Sequence, residues 1–163
     1  HIKEASPERL AQLARPHLID AGYLTEQEAA EKEEWIAEMM AVLKERISYI
    51  EEVKEKAAIF FQDRIAPEDE EAAEVLKLEH LPLLLERFSQ KVADAETVDE
   101  EFAQKALKEI QKETGYKGKN LYMPIRVVLT GAVHGPDLPL IIKLLGKQKI
   151  LSRIEYVKNH LIK

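Results

Sequence analysis

Lys117, Lys119 and Arg126, with Tyr116 and Tyr122 among them, place cations and aromatic rings within eleven residues. Cations that hold phosphate beside rings that stack bases are the combination by which proteins grip single-stranded nucleic acid. A lysine-bearing surface loop has the same composition. Downstream, Gly135-Pro136 leads into a helix entry, where backbone N–H groups and a flat apolar edge can face an unstacked base, although a plain entry turn reads identically. Arg46 stands much earlier, near the end of a helical stretch. A guanidinium there either complements the helix dipole or offers planar, bidentate hydrogen bonds to a base edge.

Other chemistries find less support. The histidines (His1, His17, His80, His134, His160) are scattered with no zinc-like spacing, so no metal site is expected. Serines 6, 48, 89 and 152 lack a nucleophile-elbow context, and Gly115-Tyr116-Lys117-Gly118-Lys119 has the wrong spacing for a nucleotide-binding loop. The acidic runs 31–34 and 68–71 read as solvated faces or first-turn partners of the helix dipole. Trp35, Met39 and Met40 sit at helical spacing and read as core. There is no cysteine, which excludes disulfides and thiolate metal sites and is compatible with a reducing compartment.

The elements that must position these residues are helical. Ser6-Pro7-Glu8 caps a short helix that Pro16 interrupts, and Ala21-Gly22 ends it. Thr25 to Glu28 is a capping-box pattern opening one long helix with an apolar stripe of Trp35, Ile36, Met39, Met40 and Leu43. A bend near Ile47 and Ser48 leads to a helix ending in Phe60 and Phe61. Ala66-Pro67 and the acids after it mark a boundary. Further helices are expected over 70–77, over 80–92, from a Thr97 capping box to Gly115, in a short piece after Pro124 up to Gly131, over 138–145 and over 148–161. Residues 125–130 could be a strand by composition, but with no second alternating run to pair with it, helix is preferred. The architecture is all-α, in two helical subdomains, 1–66 and 67–163.

Charge and turns single out the end of the chain. The net charge of −6 argues against a nucleic-acid protein taken whole. Residues 1–113, however, carry a balance of −13 and residues 114–163 one of +7, so a polyanion would be drawn to the last fifty residues alone. Residues 116–146 hold four of the six glycines and three of the seven prolines, which concentrates irregular backbone beside that positive charge. The polar opening His1-Ile2-Lys3-Glu4 is not a secretory segment, and no apolar run is long enough to span a bilayer. A start without methionine reads as a piece cut from something larger.

These residues also carry a resemblance. K-G-K-x-L-x-M-P-I-R-x-x-L-T-G from Lys117, H-G-P-x-L ending at Leu138, L-L-G-K at Leu144 to Lys147 and E-x-V-K-E-K-A-x-x-F-F at Glu51 to Phe61 resemble the C-terminal anticodon-binding region of bacterial glutamyl-tRNA synthetases. The resemblance implies a helix cage of two all-α subdomains attached to a class I catalytic core. The family's HIGH and KMSKS signatures are absent, so no catalytic residue is expected in this chain, and ATP and magnesium would belong to the missing catalytic part.

By the same resemblance, Arg46 matches an arginine that reads the third anticodon base. Arg126 and the loop carrying His134, Gly135, Pro136 and Leu138 match positions at the first base. With Lys117 and Lys119 on phosphate, the expected partner is the anticodon arm of glutamate tRNA, bound by a cytoplasmic, monomeric protein without membrane contact. The rival reading is a helical protein-interaction module that docks an acidic partner on its basic C-terminal part.

Overall fold

The structure, a computed structural model, describes residues 4–162, so the His1-Ile2-Lys3 opening lies outside the described residues. Every regular element among the described residues is helical. By their internal contacts the residues form two compact units, one ending at Gln62 and the other beginning at Asp63.

In the first unit, α1 (Pro7–Asp20) starts at Ser6, whose hydroxyl accepts the Arg9 N–H at 3.2 Å. The helix runs through Pro16 rather than stopping there. Proline removes only one intrahelical bond. Leu10, Ala11, Ala14 and Leu18 are buried on both sides of it, and packing against α3 holds the helix together. Thr25 and Glu28 form the expected reciprocal cap at 3.1 and 3.0 Å, but the long helix divides into α2 (Glu26–Glu31) and α3 (Glu33–Leu43) at Lys32. Residues 31–34 are all exposed, so no packing holds that junction straight.

α3 supplies the core of this unit through Ile36, Met39, Met40 and Leu43, each no more than 1% exposed. Trp35 is half-buried, with its ring edge-on to Phe60 and Phe61, while Tyr23 stacks on Phe61 at 4.7 Å. After α3 come a 3-10 turn, Lys44–Arg46, an extended Ile47, a second 3-10 turn, Ile50–Glu52, and the short helices α4 (Val53–Lys56) and α5 (Ala58–Phe61).

The second unit contains α6 (Glu70–Val75), α7 (Leu81–Asp94), α8 (Glu100–Thr114), α9 (Lys119–Thr130) and α10 (Leu138–His160). α10 packs against α7, α8 and α9, and their facing stripes make the core. The cap of α8 is Asp99, whose carboxylate accepts the Phe102 N–H at 2.8 Å, not Thr97. An aspartate two residues later satisfies the same orphan donors, so the helix begins later than the capping-box pattern implied. Gly115, in the left-handed region at φ 81°, ends α8 as expected.

α9 begins five residues before Pro124 rather than near it, because Leu121, Pro124, Ile125 and Val128 share one buried face that outweighs the lost bond. The carbonyl that Pro124 cannot reach is that of Asn120, and it accepts a hydrogen bond from His80 Nε2 at 2.9 Å. α10 is bent at Gly146, with φ 78° and ψ 168°, so it consists of the two arms expected on either side of that glycine.

The end of α9 is the tightest point of the unit. Gly131 has φ 83°, and a Cβ there would stand 2.2 Å from the Ala66 carbonyl oxygen, while its own carbonyl accepts the Glu68 N–H at 2.7 Å. Gly22 has a similar φ of 81° but open space around it. Gly131→Ala is therefore expected to destabilise the chain by well over the roughly 1 to 2 kcal/mol of left-handed strain that Gly22→Ala should cost. Denaturant unfolding of the two variants checks this; equal losses would show that the Ala66 backbone yields.

Candidate nucleic-acid interface

α9 carries candidate residues at both ends. Lys117 sits in the loop before it, between Gly115 and Gly118, and Lys119 is its first residue; both are exposed. Among the described residues neither makes an ion pair, so their charge is directed to solvent. Tyr116 does not project freely. Its ring stacks on His80 at 4.0 Å, which ties the lysine loop to the start of α7. Tyr122, at 37% exposed, keeps part of its ring open on the helix surface.

Arg126 lies seven residues after Lys119, about 10 Å along the helix axis. It is half-buried, and its Nη1 donates to the Pro136 carbonyl at 2.5 Å. The same nitrogen lies 3.2 Å from where a Gly135 Cβ would be. The guanidinium thus stands against the inner wall of loop 132–137, and the absence of a side chain at Gly135 lets it approach. The structure brings Arg126, Gly135 and Pro136 together as one assembly, with His134 exposed at its rim. Leu138, by contrast, is only 2% exposed and anchors the start of α10, so any contribution it makes to a ligand comes from its backbone.

Two further groups set the origin of that loop. The Thr130 hydroxyl donates to the Arg126 carbonyl at 2.9 Å and accepts the Ala132 N–H at 3.1 Å, which turns the chain out of α9. Arg153, which composition and motif did not single out, is 1% exposed and donates through Nη1 to the Leu129 carbonyl at 2.6 Å. That carbonyl is among those a helix end leaves without a helical partner, and a cation suits the negative end of the dipole. Burial pulls the guanidinium down to about 10, opposed by the charge of Asp63, so it remains a cation at neutral pH. The legible signal was a charge on an apolar stripe, between Ile150 and Ile154. Lys147 of the L-L-G-K motif likewise has a structural partner, the Ala95 carbonyl at 3.0 Å.

Arg46 belongs to the first unit. It ends the 3-10 turn Lys44–Arg46, exposed, and is followed by Ile47, which is 2% exposed and extended. The Glu52 carboxylate accepts the N–H groups of Ser48 and Tyr49 at 2.9 and 3.0 Å. These backbone bonds hold the Glu52 pKa below its ordinary value of 4.5. Among the described residues no group of three or more metal-ligating side chains occurs, and no helix is long and apolar enough to cross a membrane.

Two measurements check this construction. Arg126→Ala should loosen loop 132–137 at a cost of about 1 kcal/mol, seen as faster amide exchange there with the centre of α9 unchanged. Because the folded-state pKa of Glu52 is depressed, its stabilising effect is complete above pH 4.5 and is lost as pH falls through the lower folded value. The Ser48 and Tyr49 amide resonances should therefore hold their neutral-pH positions down to about pH 4.5 and titrate only below it.

The family model described as an anticodon binding domain matches residues 9–158. The glutamate–tRNA ligase of Alkaliphilus metalliredigens strain QYMF is 54% identical over 162 residues, which are 99% of this chain and 33% of that protein. The ligase of Clostridioides difficile strain 630 is 48% identical with the same coverage, so the chain spans about a third of the length of these curated relatives. In fold it is similar to a crystal structure of a glutamate tRNA ligase from Elizabethkingia meningosepticum CCUG26117 in complex with its amino acid. The TM-score is 0.81 at 20% identity, covering 98% of this chain and 30% of that one. The match across nearly its whole length establishes that this chain belongs to the anticodon binding domain family.

Proposed function

We propose that this chain binds the anticodon arm of glutamate tRNA as the non-catalytic part of a cytoplasmic glutamate–tRNA ligase. The observation that carries this reading is α9, with exposed lysines at its start that make no ion pair among the described residues and the Arg126-held loop at its end, in a chain of the anticodon binding domain family. Activation of glutamate, with ATP and magnesium, would fall to the remainder of the parent enzyme. This chain's work is recognition. Lys117 and Lys119 attract the RNA backbone without regard to sequence. The loop 134–138 offers polar groups and a flat proline edge to an unstacked first base, with Arg126 holding the loop in shape. Arg46 offers its planar fork to the edge of the third base.

Titration of the chain with a glutamate anticodon stem-loop and with a scrambled loop tests the reading. A clear preference for the cognate loop is expected; equal binding of both, or of neither, would falsify it. Binding of acidic peptides in place of RNA would support a protein-docking module instead. With the cognate loop, Arg46→Ala should lose about 1 to 3 kcal/mol of discrimination at the third base. Lys117→Ala should weaken both loops about equally and flatten the salt dependence by about one unit of slope.

A further inference from the structure

Tyr49 is the most exposed large apolar side chain among the described residues, at 70%, against 36 to 37% for Leu78, Leu83 and Tyr122. An aromatic ring left in water by a fold that buries Phe60 and Phe88 completely has no packing role. Its backbone is nevertheless fixed. Ile47 is buried on one side, and the Glu52 carboxylate holds the Ser48 and Tyr49 amides on the other. The ring is therefore presented by a rigid turn, so that contact with it costs little ordering entropy.

We propose that Tyr49 is a stacking platform for the unpaired nucleotide whose edge Arg46 reads. Arg46 is three residues earlier, at the end of the preceding 3-10 turn, is exposed, and makes no ion pair among the described residues. Beside the ring lies an open cleft of about 540 Å³, lined in part by Arg9, Leu13, Ser48 and Ile50, with room for a base laid flat on the tyrosine.

The local charge selects the kind of ligand. Lys44 and Arg46 stand against Glu45, Glu51 and Glu52, a balance of −1, so the segment has no net attraction for phosphate or for an acidic peptide. A base suits it, because it has an uncharged face for the ring and a polar edge for the guanidinium. Stacking of this kind is indifferent to base identity, which leaves discrimination to Arg46 and gives Tyr49 the task of holding the base still. The inference rests on the anticodon reading and adds a residue to it.

The test uses the whole chain, the cognate anticodon stem-loop, a scrambled loop, and a cognate stem-loop made abasic at the third anticodon position. Tyr49→Ala should bind the cognate loop on the order of tenfold more weakly, while Tyr49→Phe, which keeps the ring, should bind within about twofold of the unsubstituted chain. The salt slope should be unchanged by either substitution, since no phosphate contact is removed. The losses caused by Tyr49→Ala and by the abasic site should overlap rather than add. Cognate binding by Tyr49→Ala equal to that of the unsubstituted chain, or a loss shared by Tyr49→Phe, overturns the stacking role while leaving the anticodon reading intact. Failure of the unsubstituted chain to prefer the cognate loop overturns both. Matching thermal unfolding curves for the variants will show that any loss is not one of folding.

Discussion

The second unit depends on a place where two backbones meet with no side chain between them. Gly131 lets the end of α9 lie against residues 66–68, taking a hydrogen bond from Glu68 where any other residue would drive a Cβ into the Ala66 carbonyl. The left-handed turn at Gly131 reverses the chain out of α9, Thr130 ties off the last turn, and Arg153 satisfies the Leu129 carbonyl from beneath. The Arg126 loop grows from that closed end. Its shape is thus inherited from a steric constraint several residues away and from a buried cation on another helix.

That arrangement separates two kinds of arginine. Arg153 is buried, spends its charge on a helix terminus, and belongs to the scaffold. Arg126 is half-buried and bonded to the loop it underlies, which makes it part of the loop's architecture as well as of its charge. Arg46 is exposed at the end of a 3-10 turn, just before the segment that Glu52 pins. The three occupy a gradient from structure to surface, and the same guanidinium chemistry serves a helix carbonyl, a loop carbonyl and, in the proposed function, a base.

The helical class and most helix ends were legible because they rest on local signals: Ser6 and Thr25 as caps, Gly115 and Gly131 as stops, and apolar stripes at a period near 3.6 residues. The two proline misreadings share one cause. Pro16 and Pro124 read as interruptions or starts, yet both lie inside helices, because tertiary burial of Leu10, Leu18, Leu121 and Ile125 outweighs one missing hydrogen bond. Thr97 lost to Asp99 because two residues of similar capping strength stood close together. In the candidate site, cation, ring and turn composition pointed to α9 and its loop. Nothing in the spacing could reveal that Arg126 holds Pro136 or that Leu138 is buried, since both depend on how α9 and α10 face each other.

The Asn120 carbonyl released by Pro124 and taken by His80 has a geometric consequence. A helix held only by apolar contacts can slide or roll by small amounts against its neighbours. α9 is latched to α7 at one end by a directional bond and wedged at the other by Gly131, so it behaves as a ruler of fixed length and phase. Lys119 and Arg126 are two marks on it, and one inserted residue between them would rotate the second by about 100° relative to the first. In the proposed function, residue count along this helix is therefore itself a recognition parameter, as constrained as the identity of any side chain it carries.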